Sequence, residues 1–169
     1  MNKINDSNQP SQSEDARTQV RRSDRQVHDE AWIQVFMQNA PVGTLATLHE
    51  GQPYVNTNLF AYDAETHSII MHTARKGRTR SNIDTASATD TQDSPASIDG
   101  KDVTFTIMEM GRLLPALEAL EFSVEYASVV VFGKAQVITD EQEGLQALQR
   151  IMDTYDLLHQ RLVSHHYRS

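Results

Sequence analysis

No cysteine occurs among the 169 residues, which excludes disulfide scaffolds, thiolate metal sites and thiol catalysis together. Long apolar runs are missing as well; none approaches the ~20 residues that a membrane-crossing helix needs. Met1 to Gln19 is polar throughout and lacks the apolar segment that marks a secretion signal. There is no cationic excess either, since 15 Lys and Arg stand against 23 Asp and Glu, for a net charge of −8. That balance argues against broad nucleic-acid binding, because a phosphate backbone attracts proteins through Lys and Arg. These absences set the expectation of a cytoplasmic protein with no membrane and no nucleic-acid partner. Any basic cluster in so acidic a chain then needs a local reason.

Residues 1–20, rich in Asn, Ser, Gln and Asp, read as a disordered tail, which leaves 21–169 as one folded domain. Ser23 with Gln26 has capping-box spacing, and Val27, Ala31 and Val35, beside Trp32 and Phe36, give a helix face that Pro41 closes. The period then changes from 3.6 to 2. Val42–Leu48 reads as a strand, His49–Gln52 as a hairpin turn, and Pro53–Tyr62 as one returning strand. Ser68–Thr73 follows as a third strand, then a basic loop from Arg75 to Arg80.

Asp84–Asp102 is almost wholly Asp, Ser, Thr, Ala and Gln and reads as an acidic, Ser/Thr-rich surface insertion. Val103, Phe105 and Ile107 alternate with polar neighbours in a fourth strand, and Gly111–Glu121 reads as a connection with one helical turn. Ser123–Thr139 reads as one long strand, with a bulge at Gly133. Asp140 with Glu143 resembles a second capping box, followed by a helix whose apolar face is Leu145, Leu148, Met152, Tyr155 and Leu162. At least five strands without strand-helix-strand alternation point to a mainly β, α+β protein built on an antiparallel barrel.

Three segments carry chemistry. On strand Pro53–Tyr62, Asn56 and Asn58 share a face with Tyr54, Phe60 and Tyr62. Two amides between aromatic rings suit the edge of a flat heteroaromatic ligand, or form an ordinary solvent-facing strand. The second segment, His72 to Arg80, places four cations within six residues around Gly77, with Thr73 and Thr79 adding hydroxyls. Arg78 can grip a phosphate bidentately, so the loop suits a terminal phosphate dianion or is a solvated basic turn. The third, Glu125–Ala135, is apolar on both faces after Ser128, as in a central core strand or one that meets a second subunit. Metal ligation finds no support. His67 and His72 are an odd number of residues apart, and His165 and His166 adjoin each other.

Five segments in matching order, Arg21–Arg25, Gly43–Thr47, Pro53–Asn58, His72–Ala74 with Gly77-Arg78, and Ser128–Ala135, resemble the pyridoxamine 5′-phosphate oxidase-like, FMN-binding split-barrel proteins. The branch they most resemble is that of 5-nitroimidazole resistance reductases. The resemblance implies a six-stranded antiparallel split β-barrel with peripheral helices that forms a homodimer, with FMN in clefts at the subunit interface. It assigns the FMN phosphate to His72, Thr73, Ala74, Lys76, Gly77, Arg78 and Thr79. It places Asn56, Thr57, Asn58 and Leu59 along the isoalloxazine edge, and Glu109 and Met110 by the ribityl and phosphate end. Many relatives carry Lys where Thr79 stands here, so that Arg80 follows as the next cation.

The implied activity is that of an FMN-dependent oxidoreductase acting on a small organic substrate, nitroaromatic or otherwise, with no side chain assigned as catalytic. A non-catalytic dimer that holds FMN or haem on the same fold is the alternative. Residues specific to pyridoxal-phosphate recognition are not recognisable, which argues against vitamin B6 oxidation.

Overall fold

Gly43–His49 (β1) buries every second residue, Gly43, Leu45 and Thr47, as a strand with one covered face must. The chain turns through Glu50 and Gly51, both at positive φ (48° and 79°), into Gln52–Asn58 (β2). His49 pairs with Gln52, so the connection is the two-residue turn whose twist suits adjoining strands. The computed structural model describes residues 18–84 and 100–166, with side chains to 160. Nearly all of the expected tail and insertion therefore lie outside the described residues, as do the side chains of Leu162, His165 and His166.

The single strand expected from Pro53 to Tyr62 is two. The chain leaves the sheet at Leu59, and Phe60–Asp63 (β3) pairs instead with Ser68–Met71 (β4) in a separate two-stranded sheet. Phe60 and Ala61 are consecutive and both buried, so β3 is covered on both faces where it enters the smaller sheet. The break pays for itself in packing: the Phe60 ring meets Phe105 edge-on at 4.9 Å.

Lys101–Leu114 (β5) and Ser123–Ala135 (β6) complete a four-stranded antiparallel sheet in the order β2-β1-β5-β6. β5 begins two residues earlier than expected and continues through Gly111–Leu114, where a helical turn was expected. Beyond Pro115 the chain only turns before β6. β6 in turn stops at Ala135, short of Thr139. Gly133 pairs regularly with Val103, and the register shift lies instead at Gly111 and Arg112, which together face Glu125. The Arg112 guanidinium bonds Glu125 at 2.7 Å, fixing that bulge by a side-chain pair.

Cross-strand partners share a face, so the register sorts the four-stranded sheet into two sides. Leu45, Phe105 and Ile107, with Val129 and Val131 against them, form the inner side and the core. The outer side carries Val55, Met108, Met110, Tyr126, Val130 and Phe132, all exposed; Val130 is 52% and Met110 64% accessible. β6 is thus an edge strand with one covered face, not a strand buried on both sides within the protomer.

Glu30–Asn39 (α1) is capped by Asp29, whose carboxylate accepts the N–H groups of Ala31 and Trp32 at 3.0 and 3.2 Å. Ser23 does not cap it; Ser23–Arg25 is an isolated 3₁₀ turn. The inward stripe is Ile33, Phe36, Met37 and Ala40, which shares Phe36 with the expected one and leaves Trp32 and Val35 exposed. In Glu141–His166, the last helix, the expected face is likewise only partly the one that packs. Asp140 caps it as expected, accepting the Glu143 N–H at 2.8 Å. Ile151 and Tyr155 turn inward there, while Leu145, Leu148 and Met152 are exposed. Arg150 bonds Asp63, and the Tyr155 hydroxyl bonds Pro41 and Phe60, so this helix is tied to β3.

The result is a mainly β, α+β fold of antiparallel sheets with few helices. The two sheets are not closed into one barrel among the described residues. Among the described residues no helix is long and apolar enough to cross a membrane.

Candidate functional site

β4 ends at Met71, and the chain then runs through His72 and Ala74 to Gly77, whose φ of 156° and ψ of 166° lie where glycine alone is unstrained. Arg78–Ile83 (α2, the last helix then being α3) packs back onto β1. The expected basic loop from Arg75 to Arg80 is therefore loop as far as Gly77 and helix beyond it.

Between β2 and this segment lies a cleft of about 340 Å³. Tyr54, Asn56 and Asn58 form its β2 wall; His72, Thr73 and Ala74 form the opposite wall; Gly77, Arg78, Thr79 and Arg80 close one end. Alternation along β2 explains the first wall, because these three share the inner side while Val55 and Thr57 face outward. Two side-chain bonds join the walls. Asn56 Nδ2 donates to Thr79 Oγ1 and Asn58 Nδ2 to the His72 carbonyl, each at 3.3 Å. The Arg78 guanidinium lies over the Tyr54 ring, 5.3 Å from its centroid, within cation–π range. Arg80 meets Asp84 at 3.5 Å.

Beneath the cleft the core turns polar. Thr47, Thr79 and Asn82 are each 5–6% accessible and are the buried polar side chains among the described residues. Asn82 Nδ2 donates to Thr47 Oγ1 at 2.8 Å, and Thr47 in turn reaches the Tyr54 carbonyl at 3.4 Å.

Of the residues expected at the site, Asn56, Asn58, His72, Thr73, Ala74, Gly77, Arg78 and Thr79 meet in this one cleft. Thr57, Leu59, Lys76, Glu109 and Met110 do not line it. Thr57 faces outward and bonds Thr44 at 2.8 Å, Leu59 is exposed at the break between sheets, and Glu109 and Met110 lie on the exposed half of β5. Tyr54, expected on the same face as the two amides, and Arg80, expected among the loop cations, line the cleft as well. Parity along the strand was the available signal for Tyr54, and the Lys-to-Thr departure at Thr79 was the signal for Arg80. Nothing in the sequence pointed to Thr47 or Asn82.

The donor set suits an anionic, flat ligand. Arg78 and Arg80 with Thr73 offer charge and hydroxyls for a phosphate, while Tyr54 and the two amides offer an aromatic and polar wall. Among the described residues no group of three or more His, Asp or Glu could hold a metal ion.

Comparison with known proteins accords with this architecture. The pyridoxamine 5′-phosphate oxidase family model matches residues 29–162. The fold is shared with the flavocytochrome Anf3 from Azotobacter vinelandii (TM-score 0.64, 20% identity), of which 82% of this chain covers 57%. It is shared also with an FAD and haem binding protein from Mycobacterium smegmatis (TM-score 0.61, 14% identity), where 76% of this chain covers 55% of the other. A third likeness is to a Bacteroides thetaiotaomicron protein assigned to 5-nitroimidazole antibiotic resistance (TM-score 0.57, 21% identity), covering 76% of this chain and 68% of that one. The chain thus spans little more than half the length of the first two. No curated protein matches it. A family match over most of the chain, on a fold held in common with these structures, places this protein in the pyridoxamine 5′-phosphate oxidase family.

Proposed function

We propose that the protein is an FMN-binding flavoprotein of split-barrel type that acts as an oxidoreductase on a small organic substrate, nitroaromatic compounds included. One observation carries the reading: an aromatic and amide wall, from Tyr54 to Asn58, faces the cationic end formed by Arg78 and Arg80 within a single cleft. In this reading Arg78, with Thr73 and the backbone around Gly77, holds the phosphate, and Asn56 and Asn58 orient the ring. When bound, the flavin supplies two-electron exchange with the substrate, and the protein's share is binding, orientation and electrostatics.

The two sheets are read as halves of a six-stranded split barrel that functions as a homodimer. The exposed apolar side of β5 and β6, running from Met110 and Tyr126 to Phe132, supports this, since so continuous a patch marks an interface. Thr57, Leu59, Lys76, Glu109 and Met110 would then reach the cofactor only in the assembled dimer. The same reading keeps the protein in the cytoplasm.

The test is an absorption spectrum of the purified protein, followed by FMN titration and anaerobic addition of reduced nicotinamide cofactor. Flavin absorption that bleaches on reduction is expected. Protein that ignores added FMN overturns the reading. A non-catalytic carrier is the second reading, favoured by the cleft lining, which among the described residues holds no carboxylate and the single imidazole of His72. Bound flavin that no donor reduces, or a Soret band from haem, would select it.

A further inference from the structure

Thr47 occupies a position where an aliphatic residue would be at home. On β1 it follows Gly43 and Leu45 along the covered side, and valine would match its shape and strand preference. A hydroxyl placed there costs stability unless it is hydrogen-bonded on burial. Here it accepts from Asn82 and reaches the Tyr54 carbonyl, so it bridges α2 to β2. Asn82 is itself a weak choice for a buried helical position, and its Oδ1 finds no partner among the described residues. Two buried polar residues, one of them half satisfied, are a poor way to stabilise a core.

Their place in the fold gives them another use. Asn82 is three residues beyond Thr79 and four beyond Arg78, on the same side of α2 as that turn. Asn82 fastens this helix to β1 through Thr47, and Thr79 fastens it to β2 through Asn56. The chain of contacts then closes on itself. Thr47 meets the carbonyl of Tyr54, whose ring carries the guanidinium of Arg78, and Arg78 opens the helix that Asn82 anchors. Helix, strand and cation are thereby held in one fixed relation, which the exposed Arg78 side chain could not keep alone.

We propose that Thr47 and Asn82 are positioning residues: their buried bond fixes α2 so that Arg78 is held over Tyr54, aimed at the phosphate of the ligand. The inference rests on the FMN reading above for the ligand's identity, but not for the positioning itself. It concerns how tightly the anionic end is held, not the chemistry of the ring.

The experiment compares FMN with riboflavin, the same ring system without phosphate, on wild-type protein and on Thr47→Val, Thr47→Ser and Arg78→Ala. Thr47→Val removes the hydroxyl and keeps the shape. It is expected to lower FMN affinity about tenfold, the scale of one lost positioning bond, with riboflavin affinity unchanged. Thr47→Ser is expected to restore the FMN preference, and Arg78→Ala to abolish it. A purely structural role would weaken both ligands alike. An unchanged FMN-to-riboflavin ratio in Thr47→Val overturns the proposal. Should that variant fail to fold, Asn82→Ala removes the other end of the bond and is judged by the same ratio.

A second measurement needs no flavin. Side-chain resonances of Arg78 in the ligand-free protein should show the upfield shift that the Tyr54 ring imposes on groups above it, and should lose it in Thr47→Val. If the wild type binds neither flavin, the proposed function fails, while the Arg78 resonances still decide the positioning. Retention of the shift in Thr47→Val would refute it.

Discussion

The backbone N–H of Phe60 donates to the hydroxyl of Tyr155 at 3.2 Å, across 95 positions of sequence. The same hydroxyl donates to the Pro41 carbonyl, so one atom joins α3, the end of α1 and the start of β3. It does so at the first residue of β3, where the chain has just left the four-stranded sheet. Tyr155→Phe should therefore destabilise the protein by about 1–3 kcal/mol, the cost of leaving such groups unpaired. Denaturant unfolding of the two proteins measures this. Burial holds the Tyr155 hydroxyl above its ordinary value of 10.0, against the opposing pull of the Phe60 hydrogen bond. A raised folded-state value means that the contribution is complete below the unfolded value and fades as pH rises through the folded one. The difference between wild type and Tyr155→Phe should stay constant through neutral pH and narrow only above about pH 10.

Gly43 is required for space. A Cβ built there falls 2.0 Å from Cζ of Phe105, a buried ring already wedged against Phe60. Gly43→Ala is expected to cost about 3 kcal/mol or more, because a packed core has nowhere to send a ring. A thermal midpoint within a degree of wild type would show that the ring has room to move.

Arg78→Ala should weaken FMN binding by about 1.5–3 kcal/mol, the range for a hydrogen bond to a charged group. Arg78→Lys should recover part of the loss, since a point charge replaces a two-pronged donor. Calorimetric titration reads both. Unchanged affinity in the alanine variant would remove Arg78 from the phosphate site.

The outer side of β5 and β6 should bury itself in a dimer at micromolar concentration, as sedimentation would record. Val130→Asp places a charge in the middle of that side, paired across from Thr106, and is expected to yield monomers. Sedimentation of the wild type as a monomer would contradict a shared cleft.

Much of this was legible from alternation alone. Val103, Phe105 and Ile107 announced the covered side of their strand, and the parity of Asn56 and Asn58 brought them to one wall of the cleft. Gly77 and Arg78 stood out because cations are scarce in so acidic a chain. Other features left no trace in one dimension. The break at Leu59 interrupts no alternation; beyond it the Phe60 ring packs against Phe105, a contact far off in sequence. On both long helices only part of the expected stripe packs inward, Phe36 on one and Tyr155 on the other. Val35 beside Met37, or Met152 beside Ile151, differ little in hydropathy, and only the position of the sheet chooses between them. The bulge at Gly111 and Arg112 answers to Glu125, thirteen residues on, and not to any local signal. Thr47 and Asn82 read as an unremarkable strand residue and helix residue until their side chains are seen to meet.

The separation of the two sheets at Leu59 bears on more than topology. One wall of the cleft is the last stretch of β2, in the larger sheet; the facing wall is the chain that has just emerged from β4, in the smaller. A molecule lodged there touches both, and so rivets together two parts of the protein that share no backbone ladder among the described residues. Occupancy and cohesion become one quantity: a saturated protein should melt at a higher temperature and as a single unit, with the gain growing as the logarithm of ligand concentration.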